Sequence, residues 1–345
     1  MTQRTLRPRY PVCQTAVARR VPSSSVPRRR RAKRRRRRTG PLALWILALA
    51  LFAALAALKS MPHSMPGSPT PDPDSSSATL MPLNGLSSPR AALLERDSGR
   101  IIAGRDLDTS APPASLTKIM TVLLAIENLP DLNQTVTIPP EIFNALWAEN
   151  ASLAGFSPGE TVPMSDLLYG ALLPSGAECC ITLANQVSGS EEAFVEQMNH
   201  RAEQLGLSHT HFANCTGLED PNHYASAADL ARLLNEALDN KTFRQIFTAR
   251  SHTTASSTEH PQGFTMYSSM FSLLDAIPGQ GDALLGGKTG FTDEAGLCLA
   301  SLIDENGREF ILVTTGAPGD HSTDPNHLLD ALKVCDQLHD GTLGI

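Results

Sequence analysis

The sequence predicts a layered α/β (α+β) domain in which an antiparallel sheet is flanked by helices and carries an inserted helical subdomain. Strand signals lie near both ends of the folded part, at 91–103 and 297–315, and helical periodicity dominates 141–240. Strands this far apart in sequence can share one sheet only if the helical stretch between them packs beside it. We therefore expect the sheet to take strands from both ends of the chain.

The first elements follow from turn chemistry and apolar pattern. Apolar residues at 91–94 and 101–103 flank the polar, glycine-containing segment 96–100, a pattern that predicts a β-hairpin. After two prolines, segment 115–129 is apolar on nearly all of its faces. A helix with this pattern is buried on all sides, so we expect 115–129 to form the centre of the domain.

The later elements follow from the same signals. A polar turn containing Asn306-Gly307 separates the apolar runs 297–303 and 310–315, which predicts a second hairpin. The closing stretch 324–338 has the spacing of an amphipathic helix. Between the two hairpins, helical periodicity marks four further segments: 164–173, 177–187, 191–205 and 227–238.

The first 60 residues differ sharply in charge from the rest of the chain. They hold 16 of the 29 basic residues and no acidic one, so the remainder carries 13 basic against 35 acidic residues. A basic run can indicate a nucleic-acid partner. The uncharged, Leu- and Ala-rich stretch 42–58 that follows it favours instead a membrane segment with its basic side in the cytoplasm. We therefore expect no nucleic-acid partner.

This pattern predicts four regions: a basic cytoplasmic tail (1–40), a transmembrane anchor (41–58), a Pro- and Ser-rich linker (59–82) and a folded domain (83–345). The linker has too little apolar content to offset its ordering entropy. We expect an uncleaved single-pass anchor in the cell membrane, with the folded domain outside. The alternative is a cleaved signal peptide and a secreted protein, because 17 uncharged residues are few for a spanning helix.

The cysteines and histidines predict neither a metal site nor a complete set of disulfides. No Cys-x-x-Cys pair or histidine cluster has the spacing of metal ligands, so we expect no metal and no cofactor. An odd number of cysteines lies on the proposed outer side, so they cannot all pair with one another. They are Cys179, Cys180, Cys215, Cys298 and Cys335.

Ser115-Leu116-Thr117-Lys118 carries the first part of the candidate chemistry. It places a hydroxyl and an amine three residues apart at a predicted helix start, on one face of the helix. A serine needs a base to become a nucleophile, and a lysine can be that base only if burial or a like charge lowers its pKa. Lys288 could supply the like charge. We expect Ser115 to be the nucleophile and Lys118 its base, with backbone N–H groups of the helix start facing an oxyanion.

The second motif is Lys288-Thr289-Gly290-Phe291, in a predicted strand with two preceding glycines. Lysine occurs only six times in 345 residues, so a Lys-Thr-Gly tripeptide is rare by chance. The glycines let a ligand approach the strand. The ammonium and the hydroxyl would hold a carboxylate, and the Phe291 N–H would be a second oxyanion donor. A Ser-x-x-Lys motif followed by Lys-Thr-Gly is the signature of serine acyl-transfer enzymes that handle penicillins.

With these motifs the chain resembles the penicillin-binding D-alanyl-D-alanine carboxypeptidases, the low-molecular-weight serine DD-peptidases with a β-lactamase-like fold. The resemblance covers roughly residues 90–318 and includes Thr216-Gly217-Leu218 with His223. It implies removal of the terminal D-Ala from peptidoglycan stem pentapeptides through an acyl-enzyme on Ser115. It also implies that β-lactam antibiotics are covalent inhibitors.

The third motif of this family is Ser-x-Asn, and this chain has Ser175-Gly176-Ala177 in its place. The resemblance implies that Ser175 relays a proton to the leaving amine. The asparagine amide, which in the family binds the peptide carbonyl of the substrate, is absent because alanine stands there. Another interpretation of Ser175 is that it caps the predicted helix at 177–187.

Two other functions are compatible with these residues. A class A-like β-lactamase shares both lysine motifs but needs a deacylating glutamate in a Glu-x-x-Leu-Asn loop. The nearest string, 236–240, has its Leu and Asp misplaced and is typical of a helix end. A module that binds muropeptides or penicillin slowly or without turnover is suggested by Ala177. The intact Ser115, Lys118 and Lys288 favour catalysis.

Overall fold

The computed structural model describes residues 80–277 and 281–344, and its main sheet has six strands. They are β1 (Met81–Pro82), β2 (Arg90–Glu95), β3 (Arg100–Arg105), β8 (Leu284–Thr292), β9 (Gly296–Glu305) and β10 (Arg308–Ala317). The strands lie in the order β1-β3-β2-β10-β9-β8, and all neighbours are antiparallel except the parallel pair β1 and β3. The prediction that strands from both ends of the folded part share one sheet is confirmed.

The described part of the chain also holds two short ribbons, two 3₁₀ turns (Ala114–Thr117 and Pro140–Ile142) and nine α-helices. The ribbons are β4 (Thr135–Thr137) with β5 (Thr161–Pro163), and β6 (Ser251–Thr253) with β7 (Thr265–Tyr267). The helices are α1 (Lys118–Asn128), α2 (Phe143–Ala148), α3 (Met164–Leu172), α4 (Ala177–Ser188), α5 (Glu191–Gln204), α6 (Ala227–Asp239), α7 (Lys241–Phe247), α8 (Ser269–Leu274) and α9 (Asn326–His339).

The long helices and both hairpins lie where the local sequence pattern predicts them. The bounds of α3, α4, α5, α6 and α9 differ from the predicted ranges by no more than two residues at either end. Three helices of six or seven residues, α2, α7 and α8, were not predicted. Fewer than two helical turns show too little periodicity to be recognised in a sequence.

The sheet is covered on both faces because side chains along its central strands alternate between two apolar clusters. In β2, Ala91 and Leu93 belong to the cluster that includes residues of α9, whereas Ala92 and Leu94 belong to the cluster that includes residues of α1 and α6. Helix α6 packs on β2 and β10, and α9 packs on β9 and β10. The helix–sheet–helix layering follows from this two-residue alternation.

Helix α1 is the centre of the helical layer. Its residues 118–125 are all buried, as predicted from a sequence that is apolar on nearly every face. It contacts α3, α4, α5, α6 and α7. A side chain in its first turn is therefore enclosed by protein, and Lys118 occupies that turn.

The N-terminal predictions concern residues that lie mostly outside the described ones. The tail 1–40, the anchor 41–58 and residues 59–79 of the linker are not described. The last two residues assigned to the linker form β1, so the sheet begins two residues before the predicted domain start at 83. Across 80–277 and 281–344, no helix is both long enough and apolar enough to cross a membrane.

Candidate active site

Ser115 lies on a tight turn that precedes helix α1. Residues Ala114–Thr117 form a 3₁₀ turn, so the predicted helix start at 115 is corrected to an α-helix that begins at Lys118. Ala114 has a φ of +47°, in the left-handed region that residues with a Cβ rarely adopt. Such a conformation stores about 1–2 kcal/mol and persists only where surrounding contacts hold it.

The turn brings the two predicted catalytic side chains together. The Ser115 Oγ accepts a hydrogen bond from the Lys118 Nζ at 2.8 Å, and the same Nζ donates to the Thr216 carbonyl at 2.5 Å. Lys118 is 3% exposed, and burial lowers the pKa of its amine. A lowered pKa favours the neutral amine, which is the form that can take the proton of Ser115.

Lys288 lies in the middle of β8 with its side chain fully buried. Its Nζ donates to the Thr289 carbonyl at 2.9 Å. Burial, and after it the positive charge of Lys118, holds the pKa of Lys288 well below its usual range. The like-charge interaction between the two lysines is therefore present. At both lysines burial is the largest cause. The like charge lowers the pKa of Lys288, but it is not among the main causes at Lys118, where burial accounts for the lowering.

The remaining residues of the Lys-Thr-Gly motif line up along β8 beside the nucleophile turn. Thr289 is half-buried, and its hydroxyl lies 2.5 Å from the Ser269 hydroxyl. Phe291, two residues further along the strand, lines the cleft described below, and its ring centroid lies 4.8 Å from that of His321. Side chains two apart on a strand share a face, so Thr289 and Phe291 point to the same side of β8.

Ser175 precedes α4 but does not cap it. Gly176 occupies the N-cap position, and no side chain caps that end, so the capping interpretation of Ser175 is wrong. Ser175 has a φ of +73° and is 7% exposed. Within the described residues its hydroxyl has no hydrogen-bond partner. A buried hydroxyl without a partner retains its full capacity to donate and accept a hydrogen bond.

Glu178, which belongs to none of the sequence motifs, ties α4 to one wall of the site. Its side chain is fully buried, and Oε1 accepts hydrogen bonds from the N–H groups of Ala154 at 2.6 Å and Gly155 at 3.3 Å. The Ala177 N–H donates to the Ser152 carbonyl at 2.8 Å. Burial raises the pKa of the Glu178 carboxyl. Because this carboxyl is directed at the loop backbone, it does not replace the amide that is missing at Ala177.

A cleft of about 540 Å³ opens at the Ser115–Lys118 pair. One wall is the segment 149–152, a second is formed by residues 216–219, and a third by 291–293. The ionisable side chains along it are Lys118, Glu149, Glu219, Asp293 and His321. Apart from the buried lysine and the histidine, these groups are acidic.

The five predicted outer cysteines are all buried free thiols. Burial raises the pKa of Cys180 to about 12 and that of Cys298 to about 11. In the described ranges no cluster of three or more His, Cys, Asp or Glu side chains could hold a metal ion.

Residues 77–319 match the peptidase S11 family, described as D-alanyl-D-alanine carboxypeptidase. The chain belongs to this family. It is 31% identical over 242 residues to D-alanyl-D-alanine carboxypeptidase DacF of Bacillus subtilis, a match that covers 70% of this chain and 60% of DacF. It therefore spans less than two thirds of the length of that relative.

Two further comparisons concern Streptomyces strain K15. The D-alanyl-D-alanine carboxypeptidase of that strain is 31% identical over 254 residues, with 70% of this chain and 83% of the relative covered. The crystal structure of the Streptomyces K15 DD-transpeptidase superposes with a TM-score of 0.65 at 26% identity, and covers 73% of this chain and 97% of its own. The similarity to this structure confirms the predicted fold class, a sheet flanked by helices.

Proposed function

We propose that the protein is a serine-type D-Ala-D-Ala carboxypeptidase that removes the terminal D-Ala from peptidoglycan stem peptides. The observation that carries this proposal is the 2.8 Å hydrogen bond between the Ser115 Oγ and a buried Lys118 amine with a lowered pKa. Membership of the S11 family supports it, and the open cleft above the pair offers room for a peptide.

In the acylation step, neutral Lys118 takes the proton of Ser115 while the Oγ attacks the carbonyl carbon of the penultimate D-Ala. The carbonyl oxygen becomes an oxyanion that faces the backbone N–H groups of Ser115 and Phe291. The C–N bond then breaks, the proton held by Lys118 passes to the leaving amine, and D-Ala departs. Water attacks the ester, and Lys118, neutral again, takes a proton from that water and returns it to the Ser115 Oγ as the stem-peptide acid leaves.

Ser175 is the proposed proton relay to the leaving amine. Its buried hydroxyl has no partner in the described part of the chain, so it can accept a proton from one side and donate one on the other. Thr289 and Lys288 are the proposed binding groups for the terminal carboxylate. The position of Thr289 on β8, next to the nucleophile turn, supports its role in binding the carboxylate. An anion bound nearby would raise the pKa of the buried Lys288 and so favour its charged form.

Intact-mass spectrometry after incubation with benzylpenicillin, together with D-Ala release from a diacyl-D-Ala-D-Ala peptide, tests this proposal. The wild type should form a single covalent adduct and release D-Ala. Ser115→Ala should do neither, and Ser175→Ala should form the adduct slowly. An adduct on the Ser115→Ala protein would move the nucleophile to another residue.

A transpeptidase is a second candidate, because the similar K15 structure carries the name DD-transpeptidase. The acyl-enzyme is the same in both reactions, and only the acceptor differs. Adding an amine acceptor such as glycylglycine to the peptide assay separates them. If a transferred product exceeds the hydrolysed one at millimolar acceptor, the protein is a transpeptidase.

A β-lactamase and a non-catalytic binding module fit the site less well. The string 236–240, the nearest match to the deacylating loop of a β-lactamase, ends helix α6, and Glu236 pairs with Arg201 at 2.9 Å instead of lining the cleft. A module that binds muropeptides or penicillin without turnover would release no D-Ala from the peptide. Fast release of hydrolysed penicillin would favour the β-lactamase.

We also propose that the segment 42–58 anchors the protein in the cell membrane, with the catalytic domain on the outer side. This proposal is supported by the uncharged sequence of the segment and by the basic residues before it. Deleting residues 1–60 should yield a soluble protein that still labels with penicillin, since an acidic domain has no attraction for anionic lipid. Sedimentation of the truncated protein with membranes would reveal a second attachment.

A further inference from the structure

The loop between α5 and α6 contains Thr216-Gly217-Leu218 and His223, to which the mechanism above gives no chemical role. His223 is 3% exposed, and its Nδ1 accepts a hydrogen bond from the Ala213 N–H at 3.0 Å. A nitrogen that accepts from a backbone N–H carries no hydrogen of its own. The single proton of neutral His223 therefore lies on Nε2.

That proton is directed at the nucleophile turn. The Nε2 of His223 lies 2.6 Å from the Thr117 Oγ1, and the Thr117 hydroxyl donates to the Ala114 carbonyl at 2.8 Å. Because Nε2 is the donor and the hydroxyl gives its own hydrogen to Ala114, the three groups form one directed chain. It begins at a buried imidazole and ends at the residue with the strained backbone.

The Ala114 carbonyl is held from a second side by the same loop. Gly217 has a φ of +84°, and a Cβ there would overlap the Ala114 carbonyl. The preceding residue, Thr216, offers the carbonyl that holds the Lys118 Nζ. One loop thus contacts both the residue before Ser115 and the base that serves Ser115.

We propose that His223 is a positioning residue, which through Thr117 holds the Ala114 turn so that the Ser115 Oγ stays within reach of Lys118. His223 itself touches neither the substrate nor the reacting atoms. The role rests on the proposed function, because it concerns the acylation of Ser115. A small displacement of a nucleophile can lower the rate by about 100-fold, so loss of this chain of hydrogen bonds should be measurable.

Two substitutions of His223 separate the roles of its two nitrogens. His223→Gln can place an amide N–H near the position of Nε2 and keep the donor to Thr117. His223→Asn can place its oxygen near the position of Nδ1 and keep the acceptor for the Ala213 N–H, but it loses the hydrogen bond to the Thr117 hydroxyl. For a positioning role, Gln should retain the acylation rate constant for benzylpenicillin within about 3-fold, and Asn should lower it about 10- to 100-fold. The non-covalent binding constant should not change.

Thr117 supplies the other half of the test. Thr117→Val removes the hydroxyl at nearly constant shape and should lower acylation as much as His223→Asn does. The double variant should be no slower than either single one, because both remove the same link. Thr117→Ser should acylate like the wild type.

His327, on α9, is the matched control. It is also 3% exposed, but its helix packs on the opposite face of the sheet from α1 and the nucleophile turn. His327→Asn should lower the melting temperature and leave the acylation rate constant unchanged. Three results would overturn the positioning role. His223→Asn could acylate at the wild-type rate, the Gln and Asn variants of His223 could lose equally, or His327→Asn could show the same loss as His223→Asn. If the wild type forms no adduct, the proposed function fails and this role fails with it.

Discussion

Gly290 of strand β8 lies directly against the backbone of Ser115. A Cβ built on Gly290 would come within 3.1 Å of the Ser115 nitrogen and 3.2 Å of the Ala114 Cβ. The strand that carries the Lys-Thr-Gly motif and the turn that carries the nucleophile therefore approach each other closely at this residue. Glycine avoids the shift of a few tenths of an ångström that a Cβ here would demand.

Gly290→Ala tests this contact. The added methyl group must displace the turn or the strand by a few tenths of an ångström. The backbone at Ala114 is already strained, so we expect the turn to be the part that moves. We expect acylation by benzylpenicillin to fall about 10- to 100-fold, while the melting temperature falls by only a few degrees. Stopped-flow acylation and calorimetry measure the two effects. A variant that acylates normally would show that the turn accommodates the methyl group without displacing Ser115.

Lys118 should be indispensable as a base and irreplaceable by a permanent cation. Lys118→Ala should lower acylation at least about 100-fold, the usual size of a general-base contribution. Lys118→Arg should fail equally, because a guanidinium does not lose its proton. Acylation rates from pH 5 to 10 provide the measurement. An active Arg variant would indicate that positive charge, and not proton transfer, is what Lys118 supplies.

Ala177 should limit the rate with peptide substrates. An amide at this cleft position would add a hydrogen bond worth about 0.5–1.5 kcal/mol, or up to about 3 kcal/mol if it also touched a charged lysine. Ala177→Asn should therefore raise kcat/KM on D-Ala-D-Ala peptides about 3- to 100-fold. Ala177→Leu is a control for bulk at the same position and should lower it. An Asn variant that is no faster would mean that the site is built around alanine.

We expect the hydrogen bonds of Glu178 to stabilise the folded state and its buried charge to destabilise it. Burial raises its pKa, so the folded state binds this proton more tightly than the unfolded state, and stability from this group falls as pH rises above about 4.5. Glu178→Gln keeps an oxygen for the Ala154 N–H without the charge and should raise the melting temperature at pH 7.5 by about 2–4 °C. Glu178→Ala should lower it and raise KM, because residues 154–155, which follow the cleft wall at 149–152, lose their hydrogen bonds to α4. A lower melting temperature in the Gln variant would show that the carboxylate is stabilising.

Two buried histidines should make the protein acid-sensitive. Burial lowers the pKa of both His223 and His327 to about 4, against 6.5 for a free histidine. Between pH 6.5 and about 4 the unfolded chain therefore binds protons that the folded chain does not, and stability falls as pH falls through this window. Each histidine contributes up to about 3 kcal/mol. The charged groups that act on them are Asp220, His211 and Lys118 for His223, and Asp330 and His321 for His327.

Denaturant unfolding between pH 5 and 7 checks this prediction. His327→Leu removes one of the two titrations, so the slope of unfolding free energy against pH should fall by about half. An unchanged slope in that variant would assign the acid sensitivity to other groups.

Local sequence pattern predicted the framework of the protein and the identity of its reactive side chains. The helices α3 to α6 and both hairpins were placed because each carries its own periodicity or turn residues. The pairing of Ser115 with Lys118 followed from their spacing. None of these needs knowledge of distant residues.

The parts that could not be predicted depend on contacts between distant segments. The left-handed Ala114 lies between residues 217 and 290, and a Cβ added at either position would come within 3.2 Å of an Ala114 atom. The burial of Lys288 follows from its place inside the sheet, and Glu178 finds its partners 23 and 24 residues earlier in the chain. A sequence motif identifies such residues without showing what surrounds them.

The five buried thiols have a consequence for how the protein meets its surroundings. A thiol reacts with alkylating agents or oxidants as the thiolate, and burial both hides the sulfur and raises its pKa. Each of these sulfurs becomes reactive only when the part of the domain that encloses it opens. The rate of thiol labelling in native buffer therefore measures how often these parts open. Cys180 reports on the helical layer, and Cys335 reports on the opposite face of the sheet. In an oxidising environment, the lifetime of these reduced thiols is set by how often the parts that enclose them open.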